Sequence, residues 1–277
     1  MTQLINNSKY SNEYMDIRFK AYQHGIPSIE NNREMIAYAF GYPIEDVDTI
    51  YKELDGELQS PVDYINTKYK KEMDDKLKNL EFTFAFIGCS FVSDYQSFFN
   101  VVRRVLAPYS GIKLIDASVT GDTTTQTISN IYNRVLRYKP QITAVFIGIN
   151  DMRQNNDVYS RPNVSPEEYR KNMNYIAKIL RHKGNRVIFN TLSGYDTERM
   201  ETAVAEKRWT YNVEFDDVYN KIIREVALEN GCVLNDMAEK FKEFDGPMNI
   251  PNNGLHLTYQ AQSFFANKFM ETFLGML

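Results

Sequence analysis

From Phe82 onward, short apolar runs alternate with longer amphipathic stretches, and that alternation leaves few folds open. The runs are Phe82 to Ile87, Ile112 to Ile115, Ile142 to Ile147, Arg186 to Asn190 and Cys232 to Leu234. They are rich in β-branched or aromatic residues and short enough to be strands buried on both faces. The stretches between them carry helical spacing. In the clearest, Tyr169, Met173, Ile176, Ala177 and Leu180 share one face, Ser165-Pro166 followed by Glu167 and Glu168 marks the start, and Gly184 marks the stop. The pattern predicts an α/β fold in which a parallel sheet is covered by helices on both faces. In such sheets, sites form beyond the carboxyl ends of the strands.

The chain has 277 residues, enough for one large domain or one domain with a small appendage. Before residue 80 the signals are helical and interrupted. Ala37, Tyr38 and Phe40 precede Gly41 and Pro43, and a second helical stretch from about Val47 to Leu54 meets Asp55-Gly56. Ser60-Pro61-Val62-Asp63 then reads as a capping box that opens a charged helix to about Leu80. The expectation is a helical appendage over residues 1–80, joined to an α/β domain over residues 81–277. Its apolar faces would cap the larger domain, form a homo-oligomer contact or bind another protein.

A formal net charge of −4 gives no electrostatic footprint for nucleic acid or for an anionic membrane surface. The start of the chain, Met1 to Tyr10, is polar, without a basic segment and apolar core of the secretory kind. No apolar run approaches the ~20 residues that span a bilayer. Two cysteines, Cys89 and Cys232, lie in the apolar runs and read as buried thiols of a reducing compartment. A soluble, cytoplasmic protein is predicted.

Four short stretches carry chemistry. Ser90, in Gly88-Cys89-Ser90, sits where the first strand must turn into a helix, so its hydroxyl is either a nucleophile or an N-cap. Gly121, in the loop after the second strand, supplies either an outward N–H beside a developing oxyanion or merely a turn. Asn150, in Gly148-Ile149-Asn150-Asp151, can donate its amide to an acyl oxygen without bringing charge, or can close the strand in an Asx turn. His256, in Asn253-Gly254-Leu255-His256, lies on a glycine-containing loop before the last helix, a mounting suited to a general base. The other two histidines, His24 and His182, read as structural or exposed. Scattered histidines and two buried cysteines give no metal-ligand spacing. The stretch from Thr191 to Tyr211 is too long for an ordinary strand-to-helix link and is a candidate substrate wall or lid. Asp151, Tyr195 and Trp209 are the candidate substrate-binding residues.

The order Gly-x-Ser, Gly, Gly-x-Asn-Asp and x-Gly-Leu-His-Leu-Thr before a C-terminal helix resembles that of the SGNH hydrolases, the GDSL esterases and lipases. The resemblance covers about residues 82 to 277. It implies a flavodoxin-like three-layer α/β/α sandwich with about five parallel strands, and a serine esterase that needs no cofactor. By the family's pattern Ser90 is the nucleophile, Ser90, Gly121 and Asn150 form the oxyanion hole, and His256 is the base. The substrate class it implies is a small ester, either an acylated metabolite or an O-acetylated sugar. Four positions depart from that pattern. Cys89 stands where Asp is usual, and Asp116 and Ser118 where Asn and Gly are usual. Asn253 stands where an Asp would orient the base. An amide can accept the imidazole N–H but cannot neutralise the imidazolium, a loss that costs about 10⁴ in turnover in a serine triad. A slow enzyme, a replacement carboxylate such as Asp94 or Asp245, and a chain whose activity has been removed are the explanations open. An impaired binding or scaffold protein, or an acyltransferase using the same Ser-His pair, are the alternative functions.

Overall fold

The structure is a computed structural model that describes residues 18, 33–155, 161–203, 209–211 and 213–277, without the side chains of 155, 201–203, 209, 213 and 214. His24 lies outside the described residues. Five strands form the sheet: β1 (Phe82–Gly88), β2 (Ile112–Asp116), β3 (Ile142–Phe146), β4 (Arg186–Asn190) and β5 (Val233–Asn235). Their spatial order is β2-β1-β3-β4-β5 and every neighbouring pair is parallel. This is the flavodoxin-like order, whose reversal point lies between β1 and β3. The expected strands all form, with ends displaced by no more than a residue or so.

Helices α3 (Phe98–Leu106) and α8 (Tyr259–Met276) pack together on one face of the sheet. Helices α4 (Thr124–Arg134), α5 (Pro166–His182) and α7 (Val213–Glu229) pack in series on the other, with the short α6 (Thr197–Ala203) between α5 and α7 in the chain. On the first face the alternate residues Phe84 and Phe86 of β1 meet Phe269 of α8, and Phe98 of α3 stacks on Phe265 at 4.0 Å between centroids. His182 closes the last turn of α5, as its sequence context suggested.

The N-terminal region departs from expectation. Beyond α1 (Arg33–Phe40), the chain forms a single helix, α2 (Ile44–Leu77), of 34 residues that runs through Gly56 and Pro61. The expected stop at Asp55-Gly56 and the capping box at Ser60 do not occur. An interior proline costs a helix about 3 kcal/mol and a glycine about 1 kcal/mol. Against this, Val47, Ile50, Leu54, Leu58, Val62, Ile65, Met73 and Leu77 form one unbroken buried stripe, each side chain contributing about 1.5–3 kcal/mol by burial. Packing outweighs the local breakers.

That stripe divides between two cores. Ile36, Ala37, Tyr42, Val47, Ile50, Tyr51 and Leu54 form a satellite cluster, whereas Leu58 to Leu77 belong to the same core as the sheet. Helix α2 packs on both α3 and α8. The boundary expected at residue 80 therefore separates two stretches of sequence but not two cores. Among the described residues no helix is long and apolar enough to cross a membrane.

Candidate active site

β1 and β3 end side by side at the reversal point, and their following turns bring Ser90 and Asn150 to one edge. Ser90 opens a single helical turn, Ser90–Ser93, closed by the Asp94 N–H donating to the Ser90 carbonyl at 2.9 Å. First-turn N–H groups have no intrahelical acceptor, so the Ser90 N–H is available to an incoming oxygen. After β3, Gly148 leads into the turn Ile149–Met152, which carries Asn150.

His256 reaches this edge from the loop before α8. Its Nε2 lies 2.9 Å from Ser90 Oγ and its Nδ1 lies 2.8 Å from Asn253 Oδ1. The direction of both contacts follows from the backbone. The N–H groups of Leu255 and His256 donate to the same Asn253 atom at 3.2 and 2.8 Å, and backbone N–H groups only donate, so that atom is the amide oxygen. An oxygen facing Nδ1 requires Nδ1 to carry the proton. Nε2 is then the bare nitrogen that accepts the Ser90 hydroxyl.

Gly254 makes this loop possible. Its φ is +68°, and a Cβ there would fall 2.6 Å from the Met200 backbone nitrogen and 2.7 Å from the Asp196 carbonyl. The close approach brings the segment after β4 against the histidine loop, where the Asp196 N–H donates to the Gly254 carbonyl at 2.8 Å.

Burial first, and then the positive charge of Arg18, push the His256 imidazole down to about 3. The resting imidazole is thus neutral at physiological pH. The partner on Nδ1 is the Asn253 amide. Of the two carboxylates considered as replacements, Asp94 is committed to Arg18 and Asp245 is exposed. Cys89 is fully buried and its thiol is pushed up to about 12, chiefly by that burial, so it is not the thiolate a nucleophile requires.

The glycine-containing loop after β2 is shaped by the two residues that depart from the family pattern. Ser118 donates its N–H to Asp116 Oδ1 at 3.0 Å and its hydroxyl to the same oxygen. Gly121 follows with φ +84°, a conformation that favours glycine. Asn150 spends one amide hydrogen on the Asp122 carbonyl at 3.0 Å, which ties this loop to the β3 turn; an amide has a second hydrogen to give.

Asp151 requires a correction. It is 0% exposed, and its carboxylate accepts the Thr124 backbone N–H at 3.0 and 3.1 Å together with the Thr124 hydroxyl. It faces the start of α4 and is closed off from solvent, where exposure to a substrate was expected. Burial pushes its carboxyl up to about 7, against the Thr124 hydrogen bonds that pull it down.

Tyr195 lies in the segment that packs on the histidine loop, 5.1 Å from the Tyr211 ring between centroids, and its buried hydroxyl has no hydrogen-bond partner among the described residues. Trp209 pairs with Asn155 in a two-residue antiparallel ladder that joins the segment after β4 to the one after β3. Its side chain lies outside the described residues.

Two features of the site escape sequence reasoning. Thr123 and Gln126 form a true capping box at the start of α4, a Thr-x-x-Gln signal present but unread. Arg18, 76 residues before Asp94, joins the site through tertiary contacts that leave no local trace.

The profile of the GDSL-like Lipase/Acylhydrolase family matches residues 85–263. No curated protein sequence matches the chain. A lipase/acylhydrolase from Enterococcus faecalis superposes with a TM-score of 0.57 at 19% identity, covering 72% of this chain and 97% of its own. The acetyl xylan esterase AlAXEase gives 0.54 at 18% identity, covering 68% of this chain and 98% of its own. An acetylxylan esterase from Geobacillus stearothermophilus, solved as a catalytic mutant, gives 0.55 at 17%, covering 70% and 95%. At these identities the likeness is one of fold, while the profile spans most of the chain and contains Ser90, Gly121, Asn150 and His256. The chain belongs to the GDSL-like lipase/acylhydrolase family and is an ester-hydrolysing enzyme.

Proposed function

We propose that the protein is a serine esterase that cleaves a small ester through an acyl-enzyme, with Ser90 as nucleophile, His256 as general base and Asn253 as the residue that orients it. The observation that carries this reading is the hydrogen-bonded series Ser90 Oγ, His256 Nε2, His256 Nδ1 and Asn253 Oδ1, with contacts of 2.9 and 2.8 Å. As Ser90 Oγ bonds to the acyl carbon, its proton passes to Nε2, and the carbonyl oxygen takes up negative charge. The Ser90 N–H, the Gly121 N–H and the second Asn150 Nδ2 hydrogen are the donors assigned to that oxyanion. Nε2–H then gives its proton to the leaving alcohol oxygen as the ester C–O bond breaks. Water repeats the cycle on the acyl-enzyme, releasing the acid and restoring Ser90.

The substrate assigned is an acylated metabolite or an O-acetylated sugar. Structural likeness to acetylxylan esterases favours the sugar ester, and Tyr195, whose buried hydroxyl has no partner among the described residues, and Trp209 are assigned to the wall that receives the alcohol part. The neutral amide at Asn253 favours a second reading, an impaired enzyme that serves as a binding protein.

A panel of p-nitrophenyl esters of increasing chain length, run beside acetylated xylo-oligosaccharides, tests both. Turnover that peaks at acetyl and is lost in Ser90→Ala supports the esterase. Tight binding of the oligosaccharides without turnover of any ester supports the binding protein. Acyl transfer to an added sugar or amine in preference to water would make the enzyme an acyltransferase.

A further inference from the structure

The serine turn and the histidine loop lie far apart in sequence, and a single side chain from outside the family-matched region ties them together. Arg18 is 0% exposed. Its Nε and Nη2 donate to the two carboxylate oxygens of Asp94, each at 2.7 Å, in a bidentate pair. Asp94 is the residue whose N–H closes the Ser90 turn, and its Oδ1 also accepts the Gln96 N–H at 2.9 Å. The same Nη2 donates at 3.1 Å to the carbonyl of Leu257, the neighbour of His256. The Arg18 carbonyl in turn accepts the Tyr95 N–H at 2.6 Å. One guanidinium therefore fixes the nucleophile's turn and the base's loop relative to each other.

We infer that Arg18 is a positioning residue of the reaction, holding Ser90 and His256 in register through Asp94 and the Leu257 carbonyl, so that the active site is completed by chain that precedes the family-matched region. The inference rests on the assignment of Ser90 and His256 as nucleophile and base. Its chemistry suits arginine alone. A planar fork spans two carboxylate oxygens while the second hydrogen of Nη2 reaches a carbonyl, whereas lysine's point charge on a flexible stem cannot hold both partners in one geometry. The cation also sits where it opposes protonation of His256, keeping the imidazole in the form that accepts the Ser90 proton.

The test compares full-length Arg18→Met, Arg18→Lys and the double variant Arg18→Met/Asp94→Leu with wild type. Arg18→Met leaves a buried carboxylate unpaired and is expected to melt early; replacing both partners by apolar groups restores stability. Displacement of reacting groups by about 1 Å costs about a hundredfold. Accordingly the double variant is expected to melt near wild type yet lose about a hundredfold in kcat on p-nitrophenyl acetate, with KM changed by less than about threefold. Arg18→Lys is expected to recover less than about a tenth of the wild-type rate. A crystal structure of the double variant supplies a readout free of turnover, with the Ser90 Oγ to His256 Nε2 contact opened beyond hydrogen-bond reach. A double variant that melts like wild type and retains wild-type kcat, or whose Ser-His contact is unchanged, overturns the inference. Wild type that turns over no ester, in a protein whose Ser-His contact still opens on removal of Arg18, leaves the positioning role standing and refutes the esterase.

Discussion

Replacing Asn253 by aspartate would test what a neutral orienting residue costs. The carboxylate would lie at the position of Asn253 Oδ1, 2.8 Å from His256 Nδ1, and would inherit the N–H groups of Leu255 and His256 that now hold the amide oxygen. Those donors favour its ionised form, so the substitution brings a charge and not a neutral acid. An anion at that distance raises an imidazole by about 1–3 units, which lifts His256 from about 3 toward 6. Three units amount to about 4 kcal/mol between the two protonation states. With the proton half transferred in the transition state, about 2 kcal/mol is expressed at that upper end, or about thirtyfold in kcat, and about threefold at the lower end. The pH profile adds a second measurement. Only the unprotonated imidazole is a base, so wild-type kcat/KM should hold its plateau until pH falls toward about 3, whereas the variant should lose activity through its raised pKa near 6. The advantage of Asn253→Asp must therefore be greatest above pH 7 and disappear by about pH 5. Stopped-flow or steady-state hydrolysis of p-nitrophenyl acetate between pH 4 and 9 gives both. An unchanged or lower kcat at pH 8, with the acid limb unmoved, refutes the argument.

Ser90→Ala should abolish both ester turnover and labelling by a fluorophosphonate, while Cys89→Ala retains labelling; mass spectrometry of the labelled peptide decides between them. Deleting residues 1–78 removes Leu58, Val62, Ile65, Met73 and Leu77 from the main core, each contributing about 1.5–3 kcal/mol by burial. Against a total stability of about 5–15 kcal/mol, the fragment should be insoluble or show no cooperative melt, and a soluble α/β domain would mean that α2 is dispensable. Asp151 ionises in the fold only near 7, so the stability its acid form supplies is complete below its unfolded value and lost as pH rises through about 7. The excess in Tm of wild type over Asp151→Asn should therefore grow as pH falls from 8 to 5, and a constant difference would show that Asp151 does not titrate there.

The α/β unit was legible because its signals are redundant. Apolar runs give the strands, the Ser165-Pro166 start and Gly184 stop bound α5, and the ordered Ser90, Gly121 and Asn150 follow strand ends where a site forms, with His256 on the loop before the last helix. A contact between Asn253 and His256 was expected from the family resemblance, and the two side chains meet in one local turn. Helix α2 was misread because Gly56 and Pro61 are strong local breakers, while the stripe that overrides them is seen only when all 34 residues are taken as one period. Asp151 was misassigned because a polar residue at a strand end has two faces to turn toward, and only the position of Thr124 in space decides which. Arg18 had no signal. Its partners, Asp94 and Leu257, are separated from it by 76 and 239 residues, and pairing over such distances is a property of topology and not of sequence pattern.

The two neutral substitutions in the motif blocks have opposite electrostatic consequences. Cys89 occupies a place where the family pattern has Asp, and its thiol is pushed up by burial first and then by the negative charge of Asp151 and Asp122. Asp151 is itself raised by burial, with Asp122 adding to it. A third carboxylate at position 89 would enter the same dry region, where Arg134 is paired with Asp122 and the partner of Asp151 is the uncharged Thr124. A small apolar thiol fills the position without that repulsion. The Ser90 to His256 contact of 2.9 Å forms with cysteine, not aspartate, beside Ser90. At position 253 the missing carboxylate acts in the opposite sense, because there it would have stabilised the imidazolium. The positive charge near His256 is meanwhile supplied by Arg18, whose own counter-ion Asp94 is held in a bidentate pair. With Ser90 as nucleophile and His256 as base, as proposed, the balance of these groups keeps the base neutral but weak, and turnover is expected to be limited by proton transfer from Ser90.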